Sequence, residues 1–206
     1  VRIAIARDAA FSFVYRANLD LLQTMGAELA FFSPLVDLNL PEADALWLPG
    51  GYPELHGAIL AGNHPMLEAI RNHYSAGKPM LAECGGLMAC VEELADHDGE
   101  IHNLLGIIPG RASMAGRLQA LGLQSLNTEQ GQLRGHTYHH SRLETDWQPL
   151  ARTRKVAGTE AEPVYCRKGL VASYFHGYFP SAPELVAGIF RGQAIRPLID
   201  KEPDHA

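Results

Sequence analysis

The chain has little cysteine: three residues among 206, at positions 84, 90 and 166, with no Cys-x-x-Cys spacing. An odd and scattered set excludes a disulfide framework and a cysteine-based zinc site, and it predicts a reducing, cytoplasmic setting. Long apolar runs are missing too. No stretch approaches the roughly 20 residues of a membrane span, and the amino terminus lacks a signal-peptide pattern. Positive charge is scarce, with 17 Lys and Arg against 23 Asp and Glu for a formal charge of −6. Without a basic run or an aromatic-basic stripe, neither nucleic acid nor an anionic membrane is an expected partner. There is no Gly-x-x-x-x-Gly-Lys-[Ser/Thr] loop, no internal repeat and no low-complexity segment.

What remains is an ordinary globular composition, 47% hydrophobic and 19% charged, enough for one well-buried α/β domain. Val1 to Ala6 alternates as a strand, and a helix is expected from Tyr15 to Met25, stopped by Gly26. Ala27 to Ser33 and Ala45 to Leu48 read as strands, the second ending in Pro49-Gly50-Gly51. Asn63-His64-Pro65 opens a helix with Leu67, Ile70 and Tyr74 on one face, and Pro79 to Ala82 is the next strand. Gly106 to about Arg167 breaks into short β-like pieces, expected as hairpins at the sheet edge and over the site. Leu170 to Phe175 reads as a last strand, and Ser181-Ala182-Pro183-Glu184 has capping-box spacing before a final helix. Strands alternating with helices predict an open, mostly parallel sheet covered on both faces, with added β-hairpins. The domain is expected over residues 1–192, with a loose tail over 193–206.

One short stretch concentrates the chemistry. Ala82-Glu83-Cys84-Gly85-Gly86-Leu87-Met88 puts a cysteine at a strand-to-helix turn, with a helical pattern expected to continue through Val91 and Leu94. There the helix dipole is expected to acidify the thiol, and free N–H groups lie beside it for an oxyanion. His176 follows a predicted strand and falls on the same carboxyl rim as Cys84, where parallel sheets gather their sites. A Cys–His pair on that rim is the arrangement of an acyl-transfer nucleophile and its base. Gly50-Gly51 also ends a strand, so the Gly51 and Gly85 N–H groups are the expected oxyanion donors. Gly50, Tyr52, Tyr138, His139 and Ser141 are the expected substrate lining. Three histidines, His136, His139 and His140, cluster near Tyr138, but no carboxylate or cysteine stands at ligand spacing, so no metal is expected. Cys90 lies roughly 240° further round a helix from Cys84 and reads as core.

These motifs resemble the class I glutamine amidotransferases, and within them the glutaminase domain of the cobyrinate/cobyrate branch. The resemblance spans most of the chain. It rests on Ala6-Arg7-Asp8-Ala9-Ala10-Phe11-Ser12-Phe13 with Asn18-Leu19, on Leu48-Pro49-Gly50-Gly51-Tyr52-Pro53-Glu54-Leu55, and on the Cys84 turn. Pro109-Gly110-Arg111, Arg117-Leu118-Gln119, Gly135-His136 with Ser141, and Ser173-Tyr174-Phe175-His176-Gly177-Tyr178-Phe179 complete it. The Asp8-Ala9-Ala10-Phe11 opening favours the cobyrinate a,c-diamide synthases. The resemblance implies a flavodoxin-like fold and a carbon–nitrogen ligase using glutamine as amide donor. Cys84 would form a glutamyl thioester, with His176 as base and acid and Gly51 and Gly85 as the oxyanion hole.

It also implies partners. An amino-terminal synthetase domain of the same polypeptide would bind ATP and Mg, activate the corrin carboxylates and receive the ammonia, while this domain itself needs no cofactor. The ammonia acceptor would be a cobyrinate-type corrin, with cobyrate or a nickel tetrapyrrole as alternatives. A non-catalytic metabolite-binding module on the same fold is the alternative from another class. Two positions depart from the pattern. His176-Gly177-Tyr178 lacks the acid of His-x-Glu that orients the imidazole in many relatives, and Thr137-Tyr138 replaces the usual Glu-Phe after Gly-His.

Overall fold

Alternating apolar residues build the centre of the computed structural model, which describes residues 1–198. Helix α1 (Arg16–Thr24) joins strand β1 (Arg2–Ala6) to β2 (Glu28–Phe32), and β3 (Ala45–Leu48) follows with no helix between. Helices α2 (Gly57–Gly62) and α3 (His64–Ser75) both precede β4 (Met80–Glu83). Ala4 and Ala6 of β1, with Leu46 and Leu48 of β3, join one core with Met66, Leu67 and Ile70 of α3. Ile3, Ile5, Ala45 and Trp47 join the other, under Leu22 of α1 and the last helix, α5 (Pro183–Phe190). Both sheet faces are apolar because both are covered.

The Cys84 turn leads into α4 (Gly85–Cys90). Beyond it come β5 (Val91–Ala95), β6 (Ile101–Asn103), β7 (Ile108–Met114), β8 (Ala120–Thr128) and β9 (Gly131–His139). Then follow β10 (Ser141–Glu144), β11 (Ala151–Lys155), β12 (Glu160–Arg167), β13 (Leu170–Ser173) and β14 (Phe175–Gly177). In the main sheet β2-β1-β3-β4-β13 run parallel, and β12, β11, β8, β9 and β14 extend it antiparallel. A second sheet has the order β10-β7-β5-β6. The parallel half is the expected open α/β sheet, and the expected hairpins supply the rest. Lys168 and Gly169, at φ 47° and 84°, make the tight two-residue turn between β12 and β13.

The curl of the sheet matters most for function. β13 belongs to the parallel block and β14 to the far edge, yet only Tyr174 separates them in the chain. The antiparallel half therefore curls back until its edge meets the carboxyl end of β13, and His176 rides on that edge.

Several expectations change. The helix after Cys84 stops at Cys90, and Val91 and Leu94 lie in β5 instead. Leu105, Gly106 and Ile107 donate their amides to the carbonyls of Ala89, Val91 and Cys90, which satisfies the helix end after six residues. The expected strand from Leu170 to Phe175 breaks at Tyr174, because its first half pairs with β4 and its second with β9. Ser181 does not cap α5. Ala182 holds that position, and the Ser181 hydroxyl accepts from Arg134 N and donates to Tyr178 O. Where a loose tail is expected, Glu129 N bonds Arg196 O, Leu198 N bonds Asn127 O, and Ile195 is buried. The remainder of that tail, 199–206, lies outside the described residues. Among the described residues, no helix is long and apolar enough to cross a membrane.

Asn18 ties α1 to the segment after His176. Its Nδ2 donates to Gly177 O at 2.8 Å, and Phe179 N donates to its Oδ1 at 2.8 Å, with the side chain 1% exposed. Asn18→Ala leaves two buried backbone groups without partners, so a loss of about 2–5 kcal/mol is expected in urea denaturation. A loss within about 0.5 kcal/mol, as at an ordinary surface site, would contradict this role.

Candidate active site

Cys84 sits where β4 hands over to α4, at φ 47° and ψ −103°. A non-glycine residue held in that region stores strain of order 1–3 kcal/mol, which its surroundings must impose. They do so from both sides: Cys84 N donates to Ser173 O at 2.8 Å, and Met88 N donates to Cys84 O at 3.0 Å. The turn also depends on its glycines. A Cβ on Gly86 would overlap the Leu48 carbonyl oxygen, and one on Gly85 would stand 2.9 Å from Gly51 N. A Cβ on Gly51 would overlap Ala10 O, to which Tyr52 N donates at 2.9 Å. The two expected oxyanion glycines are thus in backbone contact. Asp8 supports that loop, accepting from Ala10 N and Phe11 N through Oδ1 and from Ser33 Oγ and Leu35 N through Oδ2.

His176 occupies the middle of β14, 5% exposed, opposite His136 of β9. Its ring stacks on His136 at 4.9 Å and 15°, and meets the edge of Phe13 at 4.7 Å. His136 is held in turn by the Tyr15 hydroxyl, 2.8 Å from its Nδ1. Gly50 packs directly against the imidazole: a Cβ there would overlap His176 Cε1 and stand 3.0 Å from Nδ1. Gly135 has no room either, since its Cβ would overlap His176 O. Gly50 and Gly51 therefore link the two expected catalytic residues, Gly50 touching the imidazole and Gly51 the residue after the thiol.

Burial dominates the electrostatics. It pushes the Cys84 thiol up to about 12, aided by the charges of Glu54, Glu83 and Glu162 and opposed by the Gly85 N–H. It also pulls His176 down to about 3, with His136 and His139 adding to the effect. The expected acidified thiol is corrected here: the short α4 cannot offset the loss of water around Cys84, a residue 6% exposed. The resting pair is a neutral thiol and a neutral imidazole. The Sγ donates to Tyr138 O at 3.8 Å, and the imidazole is held by ring contacts.

Cys84 opens onto a cavity of about 340 Å³ lined by Gly51, Tyr52, Glu54, Tyr138, His139 and Ser141 among others. Four of the five expected lining residues are therefore present. Gly50 is not; it lies against His176. His139 and Ser141 form a braced wall, His139 stacking on Tyr174 at 3.9 Å with Nε2 3.3 Å from Glu162 Oε1. The Ser141 hydroxyl lies 3.0 Å from that of Tyr174. Of the histidine cluster, His136 faces His176 while His140 lies beside Tyr138. Among the described residues, the one group of three potential metal ligands is elsewhere, at Asp96, Glu100 and His102.

Sequence reasoning missed Glu83 as a site residue. Its Oε1 accepts from Gly177 N at 2.8 Å and its Oε2 from Trp47 Nε1 at 2.9 Å. The residue before Cys84 thus holds the residue after His176, across the curl of the sheet. Burial raises its carboxyl to about 7 against those two hydrogen bonds. The signal was a carboxylate ending the apolar run Met80-Leu81-Ala82, a position that demands partners.

Comparison with known proteins adds independent findings. Residues 2–184 match the CobB/CobQ-like glutamine amidotransferase domain. The chain is 55% identical over 190 residues to the hydrogenobyrinate a,c-diamide synthase of Pseudomonas aeruginosa, covering 92% of this chain and 44% of that protein. It is 50% identical over 190 residues to the cobyrinate a,c-diamide synthase of Herminiimonas arsenicoxydans, covering 91% and 43%. The chain thus spans less than half the length of these relatives. Among solved structures, a glutamine amidotransferase superposes with TM-score 0.64 at 17% identity, covering 92% of this chain and 97% of that one. PurLQS from Thermotoga maritima superposes at 0.59 and 17%, covering 93% of each. At such identities these two speak for the fold alone.

The contact between Gly50 and His176 is open to test by histidine ring NMR. In the wild-type protein the His176 ring should stay neutral down to about pH 4, following its lowered pKa. Gly50→Ala should displace the ring, shift its signals and bring its titration toward the usual value of about 6.5. Identical signals and titrations in both proteins would contradict the packing.

Proposed function

The chain belongs to the CobB/CobQ-like glutamine amidotransferase domain family, and on that premise we propose that Cys84 hydrolyses glutamine to release ammonia for the a and c carboxylates of a cobyrinate-type corrin. The observation that carries the chemistry is the strained Cys84 turn, with the Gly51 and Gly85 backbones in contact beside it. Support for the acceptor comes from the relatives' names, hydrogenobyrinate and cobyrinate a,c-diamide synthase.

Starting from a neutral pair, the reaction needs the His176 ring to close on the thiol when the carboxamide arrives. Cys84 Sγ then attacks the carboxamide carbon as its proton passes to the imidazole. The carbonyl π electrons move to oxygen, where the Gly51 and Gly85 N–H groups receive the charge. Collapse breaks the carbon–nitrogen bond, and the imidazolium gives its proton to the departing ammonia. Water, deprotonated by His176, next attacks the thioester carbon. The carbon–sulfur bond breaks, glutamate is released, and the imidazolium returns its proton to the Cys84 sulfur. Glu83 acts as a positioning residue, fixing Gly177 and so the backbone beside His176. This role suits a site where His-x-Glu is replaced by His176-Gly177-Tyr178.

The remainder of a protein as long as the relatives would hold ATP and Mg and activate the corrin carboxylate for the ammonia. No residue of this chain forms a P-loop for that task. In the protein at its natural length, Cys84→Ala should lower glutamine-dependent amidation of cobyrinate or hydrogenobyrinate at least about a thousandfold. Amidation supported by ammonium chloride should persist. Full glutamine-dependent activity in Cys84→Ala would reject the nucleophile. Amidation of cobyrate or a nickel tetrapyrrole instead of either corrin would reject the acceptor.

A further inference from the structure

One buried polar atom at the site has no partner and no part in the steps above. Glu54 lies in the tight turn Pro53–Leu55 just after Tyr52, 8% exposed, and its Oε2 has no hydrogen-bond partner. It lines the same cavity as the Cys84 thiol. The other buried carboxylates near the thiol are engaged, Glu83 by Trp47 and Gly177 and Glu162 by Thr137 and His139. An unpaired carboxylate oxygen out of water is costly, so a site that keeps one usually fills it with a donor.

The cavity's shape and chemistry say which donor. Among the described residues lining it, Glu54 is the one acidic side chain. No Lys or Arg lines it. Burial raises the Glu54 carboxyl above its ordinary range, opposed by its own backbone N–H and by the nearby His97, His56 and His140. Glutamine, the amide of the proposed function, carries a cationic ammonium three carbons beyond the carbonyl that Cys84 attacks. We propose that Glu54 Oε2 receives the α-ammonium group of glutamine, so that Glu54 sets the preference for an α-amino acid amide over a plain carboxamide. This rests on the glutaminase reading and deepens it. A charge-assisted hydrogen bond formed on binding lowers KM and leaves the chemical step nearly unchanged.

The test compares glutamine with glutaramate, its analogue lacking the α-amino group, in the protein at its natural length. Wild-type kcat/KM should favour glutamine by about 10- to 100-fold. Glu54→Gln should lower kcat/KM for glutamine by about that factor, mainly through KM, and leave glutaramate within about threefold. Glu54→Asp, which keeps the charge, should retain part of the preference, and it carries the comparison if Glu54→Gln does not fold. Equal losses on both amides would mean a structural role and overturn the proposal, as would an unchanged preference in either variant. A wild-type protein that hydrolyses both amides equally well would also overturn it while leaving the glutaminase intact. Hydrolysis of neither amide would bring down the glutaminase reading itself, and this proposal with it.

Discussion

Backbone-to-backbone contact at the ends of β3, β4 and β14 is the constraint on which the site depends. Gly50, Gly51, Gly85, Gly86 and Gly135 all lie where a Cβ would crowd or overlap another chain segment or the His176 ring. Only with those side chains absent do the Cys84 turn, the Asp8 loop and the β14 edge share one rim. The strain at Cys84 is one consequence, because a turn clamped by Ser173 O and by α4 cannot relax into a broader one. Its dryness is another, since closely packed backbone leaves Cys84 6% and His176 5% exposed.

Hydrogen bonds to buried carboxylates and amides lock this packing across long stretches of chain. Glu83 joins β4 to Gly177, Trp47 joins β3 to Glu83, and Asn18 joins α1 to Gly177 and Phe179. The segment carrying His176 is therefore anchored by side chains of two separate elements, β4 and α1, with β3 acting through Glu83, although β14 itself is three residues long. Low dielectric makes each of these bonds strong when made and expensive when broken. It also favours the neutral forms of the Cys84 thiol and the His176 imidazole.

Much of this was legible in the sequence. The strands from Val1 to Ala82, the helices α1 and α3 and the turn that bears Cys84 follow from local pattern, whereas α2 (Gly57–Gly62) was not expected. Gly51 and Gly85 could be placed on a common rim because the parallel strands β3 and β4 share their carboxyl ends. His176, expected just past the end of a parallel strand, instead lies within β14 on the antiparallel edge that curls back to that rim. Other features depend on distant partners and left no local trace. Val91 and Leu94 fit a helix until β7 offers a ladder to β5. Leu170 to Phe175 reads as one strand because nothing in it announces that β4 and β9 claim different halves. The proximity of a helix terminus predicted an acidic thiol, and burial, which a motif does not reveal, reversed it. Glu83 and Glu54 both stood inside motifs, yet their partners, or the lack of one, emerged only in three dimensions.

Exposing the natural-length protein to a diazoketone analogue of glutamine, and mapping the adduct by peptide mass spectrometry, tests the role of Cys84 most directly. A single stoichiometric adduct on Cys84 is expected, with Cys90 and Cys166 unmodified. An adduct on Cys166, or none at all while the same sample hydrolyses glutamine, would contradict it.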